Sequence, residues 1–244
     1  MKSLLVLSLC GGLIALPTMA NADTNKNGVY LGGKMGASIM QLSNQQFVYS
    51  GYADAGDNGT KNGASHRRAV FGGGVVLGYN FNTQFDIPVR AELDITARDD
   101  MTNTYNIQNR VRNGIHQTRD IKNQVKLNTV MVNAYYDFYN ATQFTPYITA
   151  GVGLASIDLK TTRTDARNSN ITQQASHSHT SNNVAWSVGA GVNYAVNENV
   201  DLGLSYRYLD AGRAEMTNAA GEGNNTSKVN VKSNDIMLGI TYQF

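Results

Sequence analysis

The sequence is poor in most of what staples an exported protein together. Cys10 is its single cysteine among 244 residues, so no disulfide can form within the chain. A formal net charge of +2, with 16% charged residues, supplies no basic face of the kind a nucleic-acid binder needs. Mean hydropathy is −0.32, and the one apolar run near spanning length lies at the N-terminus, which excludes a bundle of membrane helices. What is plentiful is glycine (24) and tyrosine (13), against three prolines and one tryptophan. That mixture favours strands and turns.

Residues 1–22 read as a secretory signal, with Lys2 as the positive start, Leu4 to Leu16 as the apolar stretch and Ala20-Asn21-Ala22 as a small-residue cleavage site. Cys10 leaves with it. The remaining 23–244 read as one domain in which eight alternating segments recur, about 28–40, 67–80, 87–99, 124–138, 146–159, 184–195, 199–212 and 230–244. Connections 81–86, 139–145 and 196–198 are short. By contrast 41–66, 100–123, 160–183 and 213–229 are long and polar, and are expected to be loops. An even strand count with long loops at one end and tight turns at the other predicts an all-β, eight-stranded antiparallel up-and-down barrel.

The faces place that barrel in a membrane. Ile236, Leu238, Ile240, Tyr242 and Phe244 share one side of the last segment, and Val89, Ala91, Leu93, Ile95 and Ala97 one side of the third. The opposite sides carry glycine and charge, which suits a narrow, polar lumen behind a lipid-facing wall. Lys34, Arg90, Glu92, Asp94, Arg207 and Asp235 fall on inward faces and are expected to pair as a network, since unpaired charge there is costly. Aromatic residues gather at the short-turn end: Tyr79, Phe81, Phe85, Tyr136, Phe138, Tyr139, Phe144, Tyr147, Tyr194, Tyr242 and Phe244, an interfacial girdle.

Ile87 to Asp94 (IPVRAELD), Val132 to Phe138 (VNAYYDF), Thr145 to Leu154 (TPYITAGVGL) and the terminal Tyr242-Gln243-Phe244 resemble the opacity-type surface proteins, within the wider OmpA-like eight-stranded outer-membrane barrels. The resemblance implies residence in the outer membrane of a Gram-negative bacterium among lipid and lipopolysaccharide. It also implies a terminal signal at Tyr242 and Phe244 read by the barrel-assembly machinery, and an adhesin or surface antigen that touches a host-cell receptor through its loops. A small porin and a structural envelope barrel are the alternatives. Loop cations Lys61, His66, Arg67, Arg68, Arg110, Arg112, Arg119, Lys122, Arg163 and Arg167 are candidates for phosphates or acidic glycans. Receptor contact is expected in the first three long loops.

No nucleophile and base stand in a recognisable arrangement, so no catalytic residue, cofactor or metal site is expected. His66, His116, His177 and His179 all fall in or beside the long connections, and the His177-Ser178-His179 spacing lacks the further ligands of a metal site.

Overall fold

The computed structural model describes residues 28–51, 58–112, 114–220 and 223–244; the expected signal at 1–22 lies outside them. Ten strands form one antiparallel sheet: β1 (Val29–Ser50), β2 (Gly59–Gly63), β3 (His66–Asn80), β4 (Val89–Arg98), β5 (Met101–Arg112), β6 (Ile115–Asp137), β7 (Phe144–Arg167), β8 (Asn170–Ala195), β9 (Val200–Ala220) and β10 (Gly223–Gln243). One helical turn, α1 (Asn82–Phe85), fills the first short connection. The ten segments make eight staves. β2 and β3 follow one another along β1, and β4 and β5 along β6. Pairing of β1 with β10 closes the barrel.

Register fixes its shape. From Lys232 the ladder passes to Asp210, Trp186, Val152, Val132, Leu93, Leu77 and Leu31, and returns to β10 at Tyr242, ten residues on. Eight strands with that stagger tilt by about 41°, so each residue climbs ~2.5 Å along the barrel axis. All nine residues of that circuit point outward. The apolar wall, from Leu154, Val184 and Phe71 down to Tyr136 and Tyr242, is about 25 Å tall, the height of an outer-membrane belt. Tyr79, Phe81, Phe85, Tyr136, Phe138, Phe144 and Tyr194 ring its short-turn end in edge-on and tilted pairs, among them Tyr136–Phe138 and Phe144–Tyr194. Tyr242 and Phe244 meet edge-to-face at the same level. Tyr147 is the exception: it turns into the lumen and is buried.

Inside the barrel, glycine makes room for rings. A Cβ at Gly78 would collide with the Tyr30 ring, and one at Gly191 would press on Tyr147 and come within 2.6 Å of the Leu204 carbonyl.

The long connections are not loops. Most of 41–66, 100–123, 160–183 and 213–229 continues the strands, and at the same tilt Arg167 stands about 30 Å above Leu154, thirteen residues earlier. The cylinder does not continue with them. β8 pairs with β9 up to Trp186–Asp210, and β3 with β4 up to Gly72–Arg98; among the described residues no ladder joins either pair higher. A bulge between Asn230 and Lys232, with Gly212 at φ +77°, bends β9 away from β8. The Asn183 side-chain amide then donates to the freed carbonyls of Ala211 (3.1 Å) and Arg213 (2.8 Å). The charged pair Asp99-Asp100 makes the matching break between β4 and β5. Above the membrane two sheets result, β5-β6-β7-β8 and β9-β10-β1 with β2 and the top of β3, facing each other as a sandwich.

Candidate functional site: a charge-filled lumen beneath a two-sheet sandwich

The lower lumen is built from inward residues of β1, β4, β6, β7, β9 and β10. At its floor Arg90 grips Asp137 through two bonds (2.7 and 2.9 Å) and lies over the rings of Tyr135 (4.5 Å), Tyr147 (5.2 Å) and Tyr30 (5.8 Å). Above it Glu92 accepts the phenol hydrogens of Tyr135 (2.6 Å) and Tyr30 (3.1 Å). Next come Lys34 and Arg207, both on Asp94, the latter at 2.8 Å. Asp235 receives Arg207 (3.0 Å), Arg98 (2.6 Å) and the Ser233 hydroxyl (2.6 Å). Arg98 crowns the stack, fully buried, reaching also the Thr129 hydroxyl and the Leu127 carbonyl.

Four cations, Lys34, Arg90, Arg98 and Arg207, thus face four carboxylates, Glu92, Asp94, Asp137 and Asp235. The sequence reading of three against three omitted Arg98 and Asp137. Strand parity could have found both, since Arg98 follows Asp94 and Thr96 on one face, and Asp137 follows Asn133 and Tyr135. Glu92 also departs from that reading, because its partners are two tyrosines and no cation. A cavity of about 80 Å³ beside Glu92, Tyr147 and Arg207 has the volume of two or three waters.

The lumen is not polar throughout, as its strand faces had suggested. Immediately above Arg98, an apolar core fills the space between the two sheets, contributed by Met40, Leu42, Met101, Leu127, Ile157 and Val231 among others. The signal was present as Met40, Leu42, Ile157 and Leu159, inward by parity, but it fell at or beyond the expected strand ends. Ions would have to cross a charge-paired plug and then a dry one.

Higher still, side chains turn polar on both faces. Asp165 bridges Arg119 (2.6 and 3.1 Å) and Arg163 (2.6 Å) between β6 and β7. The Arg119 hydrogen bonds, supported by Arg163, hold its carboxyl below the ordinary carboxylate range. The β7–β8 tip is a two-residue turn with positive φ at Asn168 and Ser169, and Asn168 exchanges bonds with the His116 backbone (2.8 and 2.9 Å). His177 and His179 stand exposed on β8, and the described residues contain no group of three His, Cys, Asp or Glu placed to hold a metal. Gly114, at φ +72°, directly precedes β6, and the Asn58-Gly59 and Asn62-Gly63 dipeptides bracket β2. Arg67 donates to Gln41 (2.9 Å), Arg68 to the Thr102 carbonyl (3.3 Å) and Arg110 to Gln117 (3.1 Å).

The family profile described as outer membrane protein beta-barrel domain matches residues 8–244. The chain is 38% identical over 248 aligned residues to the outer membrane protein PagN of Salmonella typhimurium, covering all of both chains. It is 27% identical to an uncharacterized protein of Brucella abortus, over 77% of this chain and 71% of that one. Among solved structures it is similar to Neisserial surface protein A, at 20% identity and a TM-score of 0.50 over 89% of this chain and 97% of that one. With its closed, tilted eight-stave wall and sealed interior, the chain belongs to the outer membrane protein beta-barrel family and resides in the outer membrane of a Gram-negative cell.

Proposed function

We propose that this protein is a surface adhesin whose recognition element is the extracellular sandwich, and that host-cell receptors of the kind opacity-type proteins meet are its partners. One observation carries the reading: the strands continue about 30 Å past the apolar belt and pack on a core of their own. Nothing about spanning a bilayer requires that extension, and a stiff platform with polar outer faces is what presenting a binding surface does require. The filled lumen weighs against a solute pore, and Tyr242 with Phe244 is the signal we assign to the barrel-assembly machinery.

The test is to shorten the β7–β8 hairpin by removing 161–177 and joining the ends with a tight turn, leaving the belt and apolar core intact. Non-adherent bacteria displaying the native chain should gain binding to cultured epithelial cells. The trimmed chain, at equal surface display, should lose most of it. Unchanged adhesion after this trim and after an equivalent trim of the β5–β6 hairpin would overturn the proposal.

A further inference from the structure

Cations on the outer wall just above the belt are distributed unevenly. On the β9-β10-β1-β3 side each has a partner: Lys232 with Asp210 (3.4 Å), Lys228 with Glu215 (3.2 Å), Arg213 with Asn230 (3.0 Å) and Arg67 with Gln41 (2.9 Å). On the β6–β7 side Lys122, Lys126 and Lys160 are exposed, and among the described residues none is ion-paired or hydrogen-bonded through its ammonium group. Asp158, directly across the ladder from Lys126, is engaged by the Thr180 hydroxyl at 2.6 Å. Lys126 and Lys160 border a cleft of about 380 Å³, lined also by the carboxylates of Asp100 and Asp158 and by Ser178, His179 and Thr180.

Height specifies the ligand. Lys126 is four residues above the lipid-facing Val130, within a few ångströms of the top of the belt, and Lys160 and Lys122 stand about 10 Å higher by the same rise per residue. Two tiers of ammonium groups on flexible stems therefore meet the layer where the outer leaflet's glycolipid carries its phosphates. We infer that Lys122, Lys126 and Lys160 form a docking face for the phosphorylated sugars of lipopolysaccharide, Lys126 at the lipid-proximal phosphate and Lys160 with Lys122 at phosphates of the inner sugars. Lysines suit this role as point charges that follow a mobile anion. The face anchors one side of the barrel to the leaflet and orients the sandwich above it.

The probe is fluorescent lipopolysaccharide, titrated into the protein refolded in uncharged detergent. K122Q/K126Q/K160Q should bind about 100-fold more weakly, whereas R67Q/K228Q/K232Q, which removes the same formal charge from the opposite wall, should change affinity less than about threefold. Dephosphorylated lipopolysaccharide should bind the native chain as weakly as the first triple variant binds the intact glycolipid. Phosphatidylglycerol micelles and inorganic phosphate at matched charge should not displace the probe. Native-like binding by the first triple variant, equal losses in both triple variants, or displacement by either simple anion would overturn the assignment. Heat-modifiable mobility verifies that each variant is folded; should the triple not refold, K126E alone must still weaken binding at least tenfold.

Discussion

Asp235→Ala isolates the energetics of the plug. The carboxylate is fully buried and receives Arg98 at 2.6 Å, Arg207 at 3.0 Å and the Ser233 hydroxyl at 2.6 Å. Removing it leaves four inward cations facing three carboxylates. Arg207 keeps Asp94, but Arg98 keeps only neutral partners: the Ser38 and Thr129 hydroxyls and the Leu127 carbonyl. Breaking a buried pair at one end costs about 3–5 kcal/mol, because a desolvated charge remains. With a urea slope of about 3 kcal/mol per M, the unfolding midpoint in lipid vesicles should fall by about 1–1.7 M. Replacing both partners, as in R98M/D235L, restores neutrality and apolar contact with Leu127, so it should recover most of that loss. If D235A shifts the midpoint by less than about 0.3 M, or if the double variant is worse than the single one, the plug is not held by charge pairing.

Further expectations concern the other layers. Leu127→Ala, in the fully buried apolar core, should cost about 2–5 kcal/mol by the same assay. Gly191→Ala should cost about 1–3 kcal/mol by overpacking against Tyr147 and the Leu204 carbonyl, while Gly33→Ala, whose new Cβ would sit 4.0 Å from the Gly74 carbonyl, should be tolerated. Because Asp165 titrates lower folded than unfolded, its stabilisation is complete above the unfolded value near 3.9 and is lost as pH falls through the folded value. Amide protection factors, corrected for the intrinsic pH dependence of exchange, should therefore fall in acid at the Arg119–Asp165 end of the β6–β7 ladder, and D165N should abolish that dependence. Planar-bilayer recordings of the native chain should show no steady channel, and D235A should stay closed because the apolar core above it is intact.

How much of this was legible in the sequence follows from what each layer faces. In the belt one side of every strand meets lipid, so Val89 to Ala97 and Ile236 to Phe244 alternate cleanly, and the eight staves could be read from them. Parity likewise put Lys34, Arg90, Glu92, Asp94, Arg207 and Asp235 in the lumen, though parity says nothing of which neighbour each meets, and Glu92 was given the wrong kind of partner. Above the belt both faces can be wet. The stretch from Asn170 to Asn183 has no acidic or basic residue apart from two histidines and little apolar alternation, so it looks like a loop although it is strand throughout. Its strand state comes from pairing with β7, a non-local cause that local composition does not record.

Amide hydrogen exchange of the protein in lipid vesicles tests the central claim, that the barrel continues as a rigid sandwich above the membrane. Residues Leu159–Asp165 of β7 lie between β6 and β8 and bond on both sides. The account predicts slow exchange along that whole stretch, orders of magnitude below an unstructured chain, with every second amide protected along the β8 edge from Ile171 to Ser181. Exchange at unstructured-chain rates throughout 160–183 would contradict it.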